Sequence, residues 1–351
     1  MSNKILKNIS FFLILFSSVS IFSGCSNNNN NNTSSDYINR KELLMGTTVS
    51  VTIYDSTDEK ILDKIFKKVK ELEETLSINE NGTLVDKINN AAGIKPIEVD
   101  DDTYTIIKKG VEYSKLSDGL FDISIGPIVK LWNIGLPEAR VPTQEEINEK
   151  LPLVNYEDIE LNDEEQTVYL KRKGMMLDLG GIAKGYTADI ISDILTEEGV
   201  KSAIIDLGGN IFTHGSKVDG SDWKVGIQNP FNTRGNIVAT ISASNKSIVT
   251  SGIYERYIEE NGKFYHHILS PFTGYPYENE IAGITIVSDN SIDGDALSTS
   301  VLAMGVDKGM EFVNNIDGLD AIFITLDNKI YITNGLKENF NLINDEFTLI
   351  N

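Results

Sequence analysis

An acid and a hydroxyl residue, four positions apart, open the segment of this chain that says most about its chemistry. Asp295 and Thr299 lie at the start of an apolar stretch, residues 293–305, for which the sequence predicts a helix. Residues four apart on a helix lie on the same face, one turn above the other. A carboxylate and a hydroxyl on one face are hard oxygen ligands, which suit Mg²⁺ and phosphate chemistry. The alternative is an ordinary helix start, where the helix dipole stabilises the acid and the Thr hydroxyl bonds back to its own turn.

Two near copies of a short motif, at residues 178–181 and 206–209, each place an Asp and a Leu before paired glycines. Each Asp is predicted to end a strand, with the glycines in the following turn, where they permit unusual φ/ψ angles and close approach of a ligand. The first copy leads into Lys184 and a predicted helix, whose first N–H groups and lysine can cradle a phosphate. The spacing matches neither a Walker A loop nor a dinucleotide-binding fingerprint. The alternative is a tight strand-to-helix turn with a solvated lysine.

Adjacent histidines, His266 and His267, are two of only three in the chain, and a Ser-Pro and Thr-Gly turn follows them. They are predicted to lie on a strand, where neighbouring side chains point to opposite faces, so at most one of them faces a given site. A neutral histidine can accept the proton of a hydroxyl nucleophile. The alternative is a surface histidine beside a buried one.

An aromatic residue beside an acid, Phe121-Asp122, follows a predicted helix end. Such a pair can stack on a ring system and bind its polar edge. Packing of the aromatic side chain in the core is the alternative.

The elements that must position these residues alternate between helices and strands from about residue 40 to about residue 344. Thr143 and Glu146 fit a capping box that starts one short helix. Other helices are predicted over residues 58–76, 102–116 and 182–198, with a helix pair over 294–314. Strands are predicted over residues 49–54, 167–171, 175–179, 202–207, 224–228, 237–242, 254–259, 264–269, 281–287, 321–325 and 329–333. This mixture of hairpins and helices predicts an α+β fold with largely antiparallel sheets packed against helices, not a doubly wound sheet.

The beginning of the chain has the pattern of a bacterial export signal. Two lysines precede a short apolar stretch broken by serines, and small residues then stand before Cys25, the single cysteine. This pattern resembles the lipobox of bacterial lipoproteins, in which the cysteine is diacylated and becomes the new N-terminus. The alternative is an ordinary signal peptide followed by a stray cysteine.

This pattern divides the chain into three parts. We expect a signal peptide over 1–24, a lipidated Cys25 with an Asn- and Ser-rich solvated tether over 25–40, and a folded body over 41–345. The protein would then be anchored on the extracytoplasmic face of the cell membrane. The formal net charge of −21 argues against nucleic acid or anionic lipid headgroups as partners. Because a single cysteine allows no internal disulfide, a large core must supply the stability.

Taken together, the ordered motifs resemble the FAD:protein FMN transferase family of the ApbE type. The resemblance extends from about residue 43 to residue 305 and beyond. The matching pieces are Met45-Gly46-Thr47, residues 121–127, 178–185, 206–209, 223–230 and 250–252, His267-Ile268 with Pro271 and Thr273-Gly274, and residues 295–299.

The resemblance implies a fold, an activity and a set of partners. It implies an ApbE-like body related to the T-fold, with FAD in a central cleft. It also implies a Mg²⁺-dependent transfer of FMN from FAD to a Thr or Ser of an acceptor flavoprotein, through a phosphoester bond and with release of AMP. FAD is then a substrate, and Mg²⁺ is the cofactor.

The resemblance also assigns roles to single residues. The metal is held by Asp295, Thr299 and the carbonyl of Gly181, and His267 is the candidate base for the acceptor hydroxyl. The contacts to FAD come from Met45, Asn79, Leu120, Phe121, Asp122, Asp178, Lys184 and Ile268.

The sequence departs from the family pattern at three places. Ser270 stands where the family usually has an Asp before the Pro, and Asn79 stands where an aromatic residue often covers the flavin. Residues 133–135 replace a more usual Gly-aromatic-Gly. The same site also fits two other functions, which are a metal-dependent FAD pyrophosphatase with water as acceptor and a non-catalytic FAD-binding lipoprotein.

Overall fold

The described part of the chain, residues 37–351 of a computed structural model, is built on four sheets and seven α-helices. The helices are α1 (Glu59–Leu76), α2 (Leu84–Asn90), α3 (Asp101–Leu116), α4 (Gly126–Trp132), α5 (Gln144–Lys150), α6 (Ala183–Glu197) and α7 (Ser291–Asn314). The strands are β1 (Ile38–Leu44), β2 (Thr47–Ile53), β3 (Ile97–Glu98), β4 (Ile159–Asn162), β5 (Thr167–Leu170), β6 (Ser202–Leu207), β7 (Asn210–Gly215), β8 (Trp223–Gln228), β9 (Ile237–Ala243), β10 (Lys246–Gly252), β11 (Tyr257–Glu260), β12 (Lys263–His266), β13 (Ile281–Ser288), β14 (Asp320–Thr325), β15 (Lys329–Ile332), β16 (Phe340–Leu342) and β17 (Thr348–Leu349).

The largest sheet has nine strands in the order β1-β2-β6-β7-β10-β13-β14-β15-β17. Its neighbours pair antiparallel, apart from the parallel pair β15–β17. Three small sheets accompany it, in the orders β16-β9-β8, β3-β5-β4 and β11-β12. The predicted α+β class with largely antiparallel sheets is therefore confirmed.

Both faces of the large sheet are buried at its centre. Along β14, Ala321 and Phe323 pack with helices α3, α6 and α7 on one face, whereas Ile322 and Ile324 pack with β8 and β9 on the other. Alternate side chains of a strand point to opposite faces. A strand that is apolar throughout therefore fits between a helical layer and a second sheet.

Local sequence signals account for most of the helices. Asp58 accepts the N–H of Lys60 at the start of α1, and the predicted capping box of Thr143 and Glu146 is present at α5. The predicted helix pair is present within α7, where two helices meet at a kink at Gly305, whose φ of 77° is not helical. No helix among residues 37–351 combines the length and the apolar character needed to span a bilayer.

Three groups of strand predictions differ from the structure. The sequence analysis missed β1, β7, β10 and β17, which lie in the large sheet, and β3, β4 and β16, which lie in two of the small sheets. The strands predicted over 254–259 and 264–269 form the shorter hairpin β11–β12, so His267 lies just beyond the strand end.

The strand predicted over 175–179 is wrong. Only Met176 forms a bridge there, to Ile125. The burial of alternate residues resembles a strand, but the Leu177 backbone bonds to the side chain of Asn89 and the Asp178 N–H bonds to the Ile123 carbonyl. These bonds satisfy the backbone groups of an extended segment that is not paired with a neighbouring strand.

The large sheet begins before and ends after the predicted boundaries of the folded body. Strands β1 and β17 extend the large sheet beyond both ends of the range 41–345. The predicted signal peptide over 1–24, Cys25 and most of the tether lie outside the described residues.

The two glycine pairs have different structural roles. Gly208 and Gly209 have φ of 67° and 104° in the turn between β6 and β7, as predicted for a turn that requires glycine. A Cβ on Gly208 would lie 1.9 Å from the Thr47 hydroxyl oxygen, so the backbone of this turn packs directly on β2. The first pair, Gly180 and Gly181, does not have positive φ angles and leads into α6.

We expect Gly208→Ala to destabilise the protein more than Gly199→Ala. Both glycines have positive φ, which costs about 1–2 kcal/mol for alanine. Only at Gly208 does the added methyl group also meet a neighbour, because nothing lies within 4 Å at Gly199. Overpacking of this kind costs a further ~1–3 kcal/mol. Urea unfolding measures both variants, and equal losses of unfolding free energy would contradict the close packing at Gly208.

Candidate active site

The first turns of α6 and α7 meet at the centre of the candidate site. The N–H of Gly185 donates to Oδ2 of Asp295 at 2.9 Å, and Nζ of Lys184 lies 3.4 Å from Oδ1. Asp295 is only 4 % exposed. The structure thus brings together the predicted metal carboxylate and the predicted phosphate-binding lysine, which lie far apart in the sequence.

The close approach of the two helices depends on Gly185. A Cβ at this position would lie 2.4 Å from the Ser291 carbonyl oxygen and 2.8 Å from the Asp295 Cβ. Only a residue without a side chain fits there unless the two helices move apart. The glycine is therefore what lets the Asp295 carboxylate reach the N–H groups of α6.

The environment of Asp295 and Thr299 distinguishes between the two interpretations of their pattern. The carboxylate of Asp295 bonds to another helix and is buried, unlike an exposed acid at a helix start. The side chain that bonds back to its own turn is Ser298, which donates to the Asp295 carbonyl at 2.8 Å. Within residues 37–351 the half-buried Thr299 hydroxyl makes no hydrogen bond, so it is available as a ligand.

The segment before α6 adds one backbone oxygen, the Gly180 carbonyl, to this site. Nζ of Lys184 donates to the Gly180 carbonyl at 3.3 Å, and the Phe121 ring lies 3.0 Å from where a Gly181 Cβ would be. Among the described residues no three His, Cys, Asp or Glu side chains cluster as a metal site. A divalent ion here would therefore need a mixed set of carboxylate, hydroxyl and carbonyl oxygens, which is the chemistry that Mg²⁺ accepts. The residues present fit that ion.

Lys130 on α4, a residue that the sequence analysis missed, bonds to Asn79 and acts through its charge on Asp178. Burial raises the pKa of Asp178, whereas its bond from the Gly180 N–H and the charges of Lys130 and Lys184 lower it. Nζ of Lys130 donates to Oδ1 of the exposed Asn79 at 2.7 Å. Because Lys130 shares no motif with these residues, the sequence carries no signal for it.

Asp122 has a structural role in the loop that carries Leu120 and Phe121. Its two oxygens accept the N–H and hydroxyl of Ser124, at 2.8 and 2.7 Å, and the N–H of Tyr156 at 3.0 Å. Burial raises the pKa of the Asp122 carboxyl, against these hydrogen bonds. The carbonyl of Leu120 accepts the Tyr277 hydroxyl at 2.9 Å. The contact of this loop with FAD stays a prediction.

Met45 and Ile268 approach the site from two other directions. The N–H of Met45 donates to Glu73, and its sulfur accepts the hydroxyl of Thr187 on α6 at 3.4 Å. Met45 has a φ of 52°, an unusual value for a residue with a side chain. Ile268 is buried, and its carbonyl accepts the Tyr277 N–H at 3.1 Å.

His267 is anchored to the segment before β11. Its N–H donates to the Arg256 carbonyl at 3.1 Å, and its Nδ1 lies 3.3 Å from the same oxygen. Burial lowers the pKa of His267 to about 4, and the charges of Arg256 and Lys184 contribute to the decrease. The imidazole is therefore neutral at pH 7, as a general base requires. His266 is more deeply buried, with Nε2 at 2.8 Å from the Tyr277 carbonyl oxygen.

Ser270 preserves the turn after His267 although the family usually has an Asp there. Its hydroxyl oxygen accepts the N–H groups of Phe272 and Thr273, at 3.2 and 3.3 Å. The Ser270 backbone closes the turn through Tyr275 and Gly274. A short hydroxyl side chain can form this type of turn as a carboxylate does.

Two cavities in the described residues lie outside this site. One lies between α1 and α3, and the other lies between α3, α6 and the first turn of α7. Neither is lined by the residues assigned to FAD contacts. The central cleft for FAD stays a prediction.

Comparison with known proteins agrees with the motifs. The model of the ApbE family matches residues 45–323. The chain belongs to the ApbE family. A FAD:protein FMN transferase of Klebsiella pneumoniae is 36% identical over 88% of this chain and 95% of its own length. One from Treponema pallidum is 33% identical over 89% and 91%.

Solved structures of the family have the same fold. The ApbE protein of Thermotoga maritima superposes with a TM-score of 0.80 at 30% identity, over 86% of this chain and 99% of that one. The flavin transferase ApbE of Vibrio cholerae gives a TM-score of 0.78 at 25% identity, over the same shares. The predicted family resemblance and fold class are therefore confirmed.

We expect His267 to titrate far below the ordinary histidine pKa. Because the pKa of His267 is about 4 in the folded protein, the unfolded chain is protonated at this histidine at a higher pH than the folded protein. The protein should therefore lose stability between pH 6.5 and about 4 through this group. NMR of the three imidazoles measures the pKa, and His267→Asn assigns the signal by removing it. Titration of that signal near pH 6.5 would contradict a buried, neutral His267.

Proposed function

We propose that this protein is a FAD:protein FMN transferase that moves FMN from FAD to a Thr or Ser hydroxyl of an acceptor flavoprotein. The observation that carries the proposal is the buried contact of Asp295 with Lys184 and Gly185 at the start of α6. Its relatives from Klebsiella pneumoniae and Treponema pallidum bear that name. An anchor at Cys25, outside the cytoplasm, is part of the same proposal and follows from the sequence pattern alone.

The reaction replaces the phosphoanhydride bond of the FAD pyrophosphate by a phosphoester bond to the acceptor. The acceptor hydroxyl attacks the phosphorus atom on the FMN side of the FAD pyrophosphate, and the bond from that phosphorus to the bridging oxygen breaks. AMP leaves with the bridging oxygen and its electron pair. The proton of the hydroxyl goes to the neutral imidazole of His267.

Lys184 and the N-terminus of α6 stabilise the negative charge that develops on the phosphate oxygens in this step. The ammonium group of Lys184, at the N-terminus of α6, faces the same carboxylate that the Gly185 N–H in the first turn of α6 binds. A cation and a helix N-terminus stabilise phosphate oxygens. A Mg²⁺ ion held by Asp295, Thr299 and the Gly181 carbonyl would neutralise charge on the pyrophosphate. Alignment of hydroxyl and phosphorus supplies much of the remaining rate.

The test uses the full chain in detergent with FAD, Mg²⁺ and a candidate acceptor flavoprotein. We expect the acceptor to gain the mass of one FMN unit for each AMP released. AMP and FMN without labelling of the acceptor would identify a pyrophosphatase instead. Binding of FAD without either product would identify a binding protein.

We expect Asp295→Ala to lower turnover by roughly 10³-fold or more, because metal stabilisation of the transition state is worth several kcal/mol. Asp307→Ala, which removes an exposed carboxylate from the part of α7 beyond the kink at Gly305, is the matched control and should leave turnover unchanged. AMP release against Mg²⁺ concentration measures both. Near-normal release by Asp295→Ala would refute the metal assignment.

We expect His267→Ala to lower the rate of FMN transfer by about 10²–10⁴-fold, since a positioned base contributes that much. The Kd for FAD should change little, because the imidazole acts on the acceptor. Single-turnover transfer and fluorescence titration of FAD measure the two quantities separately. Equal losses in rate and affinity would make His267 a binding residue.

A further inference from the structure

A second set of hydrogen bonds joins the first turns of α6 and α7. Asp189 lies one turn after Gly185 on α6, and its two oxygens accept the N–H groups of Ser291 at 2.6 Å and Ile292 at 2.9 Å. These are the first two residues of α7, whose own N-cap residue, Asn290, makes no side-chain capping bond. Asp189 therefore caps α7 from a different helix.

This cap and the Asp295 contact are reciprocal. Each helix offers N–H groups of its first turn to a carboxylate of the other, with Gly185 bonded to Asp295 and Ser291–Ile292 bonded to Asp189. The two contacts lie one turn apart on both helices. Two points of attachment fix the rotation and the axial position of one helix against the other, whereas one point would fix neither.

A carboxylate at position 189 costs free energy, which argues for a specific use. Burial raises the pKa of Asp189 to about 7, against its two N–H bonds, and the charges of Asp293 and Asp193 add to the increase. Asp293 in turn accepts the hydroxyl of Tyr113. A neutral residue can cap a helix, but a carboxylate offers a separate acceptor to each of two N–H groups.

We propose that Asp189 is a positioning residue, which holds the first turn of α7 against α6 and so sets where Asp295 and Thr299 lie relative to Lys184. Its effect on catalysis rests on the function proposed above. Groups that orient metal ligands without touching the metal commonly change metal affinity by about 10–100-fold when they are replaced.

The test compares Asp189→Asn with Asp193→Asn in the full chain. Asp193 is exposed on the same helix and contributes to the same local charge, but it makes no bond to α7. Asp189→Asn keeps the shape of the side chain and replaces one acceptor with a donor. Three measurements follow, which are amide hydrogen exchange of residues 291–299, the Kd for Mn²⁺ by electron paramagnetic resonance without FAD, and FMN transfer.

We expect Asp189→Asn to accelerate exchange in residues 291–299 and to weaken Mn²⁺ binding by roughly 10-fold. Asp193→Asn should match the wild type in all three measurements. Wild-type exchange or wild-type Mn²⁺ affinity in Asp189→Asn would overturn the proposal, because Asp189 would then be only a local cap or would hold nothing at all.

Two further outcomes keep this inference separate from the proposed function. A wild-type protein that binds Mn²⁺ but transfers no FMN would contradict the transferase, while the exchange and affinity data still decide the role of Asp189. A wild-type protein that binds no Mn²⁺ would overturn the positioning role together with the metal assignment. If circular dichroism shows that Asp189→Asn is unfolded, Asp189→Glu replaces it. That variant supports the proposal if its native fold binds Mn²⁺ more weakly, and overturns it if the affinity is unchanged.

Discussion

The candidate site depends on one interaction, the contact between the N-terminal turns of α6 and α7. Unpaired N–H groups at a helix start attract negative charge, and each of these helices directs a carboxylate at the start of the other. Three other site residues lie on α6 or against it and the segment before it. Lys184 follows the glycine segment into α6, Met45 contacts α6 through Thr187, and Phe121 covers Gly181.

Close backbone approach is the main constraint that this contact imposes on the sequence. Gly185 is required because α7 passes where its side chain would be, and Gly181 lies against an aromatic ring. Such positions need glycine for space and not for an unusual φ, since neither has a positive φ. The second glycine pair shows the opposite case, because Gly208 has both a positive φ and a close neighbour.

Sequence patterns predicted the fold class, most of the longer helices and the residues at the centre of the site. Helices such as α1 were predictable because amphipathic periodicity and capping residues are local signals. The strand over 175–179 was wrong because alternate burial also occurs in an extended segment whose partner is the Asn89 side chain. Strands β1, β7 and β10 were missed although each pairs within the large sheet.

The contributions of Asp189 and Lys130 could not be predicted, because their meaning comes from residues distant in the chain. Asp189 has the appearance of an ordinary helix residue until α7 is placed beside it. Lys130 likewise carries no signal in the sequence, because only the fold brings it to Asn79 and Asp178. The sequence singled out His267 as the candidate base, but the neutrality of its ring depends on burial and on charges contributed by Arg256 and Lys184.

The separation of α6 and α7 along the chain has a consequence for biogenesis. Their mutual contacts join residues 102 to 110 positions apart, with strands β6 to β13 formed from the chain between them. Bringing together residues so far apart in the chain carries a loop-closure cost, and contacts of this kind slow folding. Until α7 has packed against α6, the chain therefore holds Lys184 without the carboxylate of Asp295 beside it. Both halves of the site can therefore come together only after α7 has packed against α6.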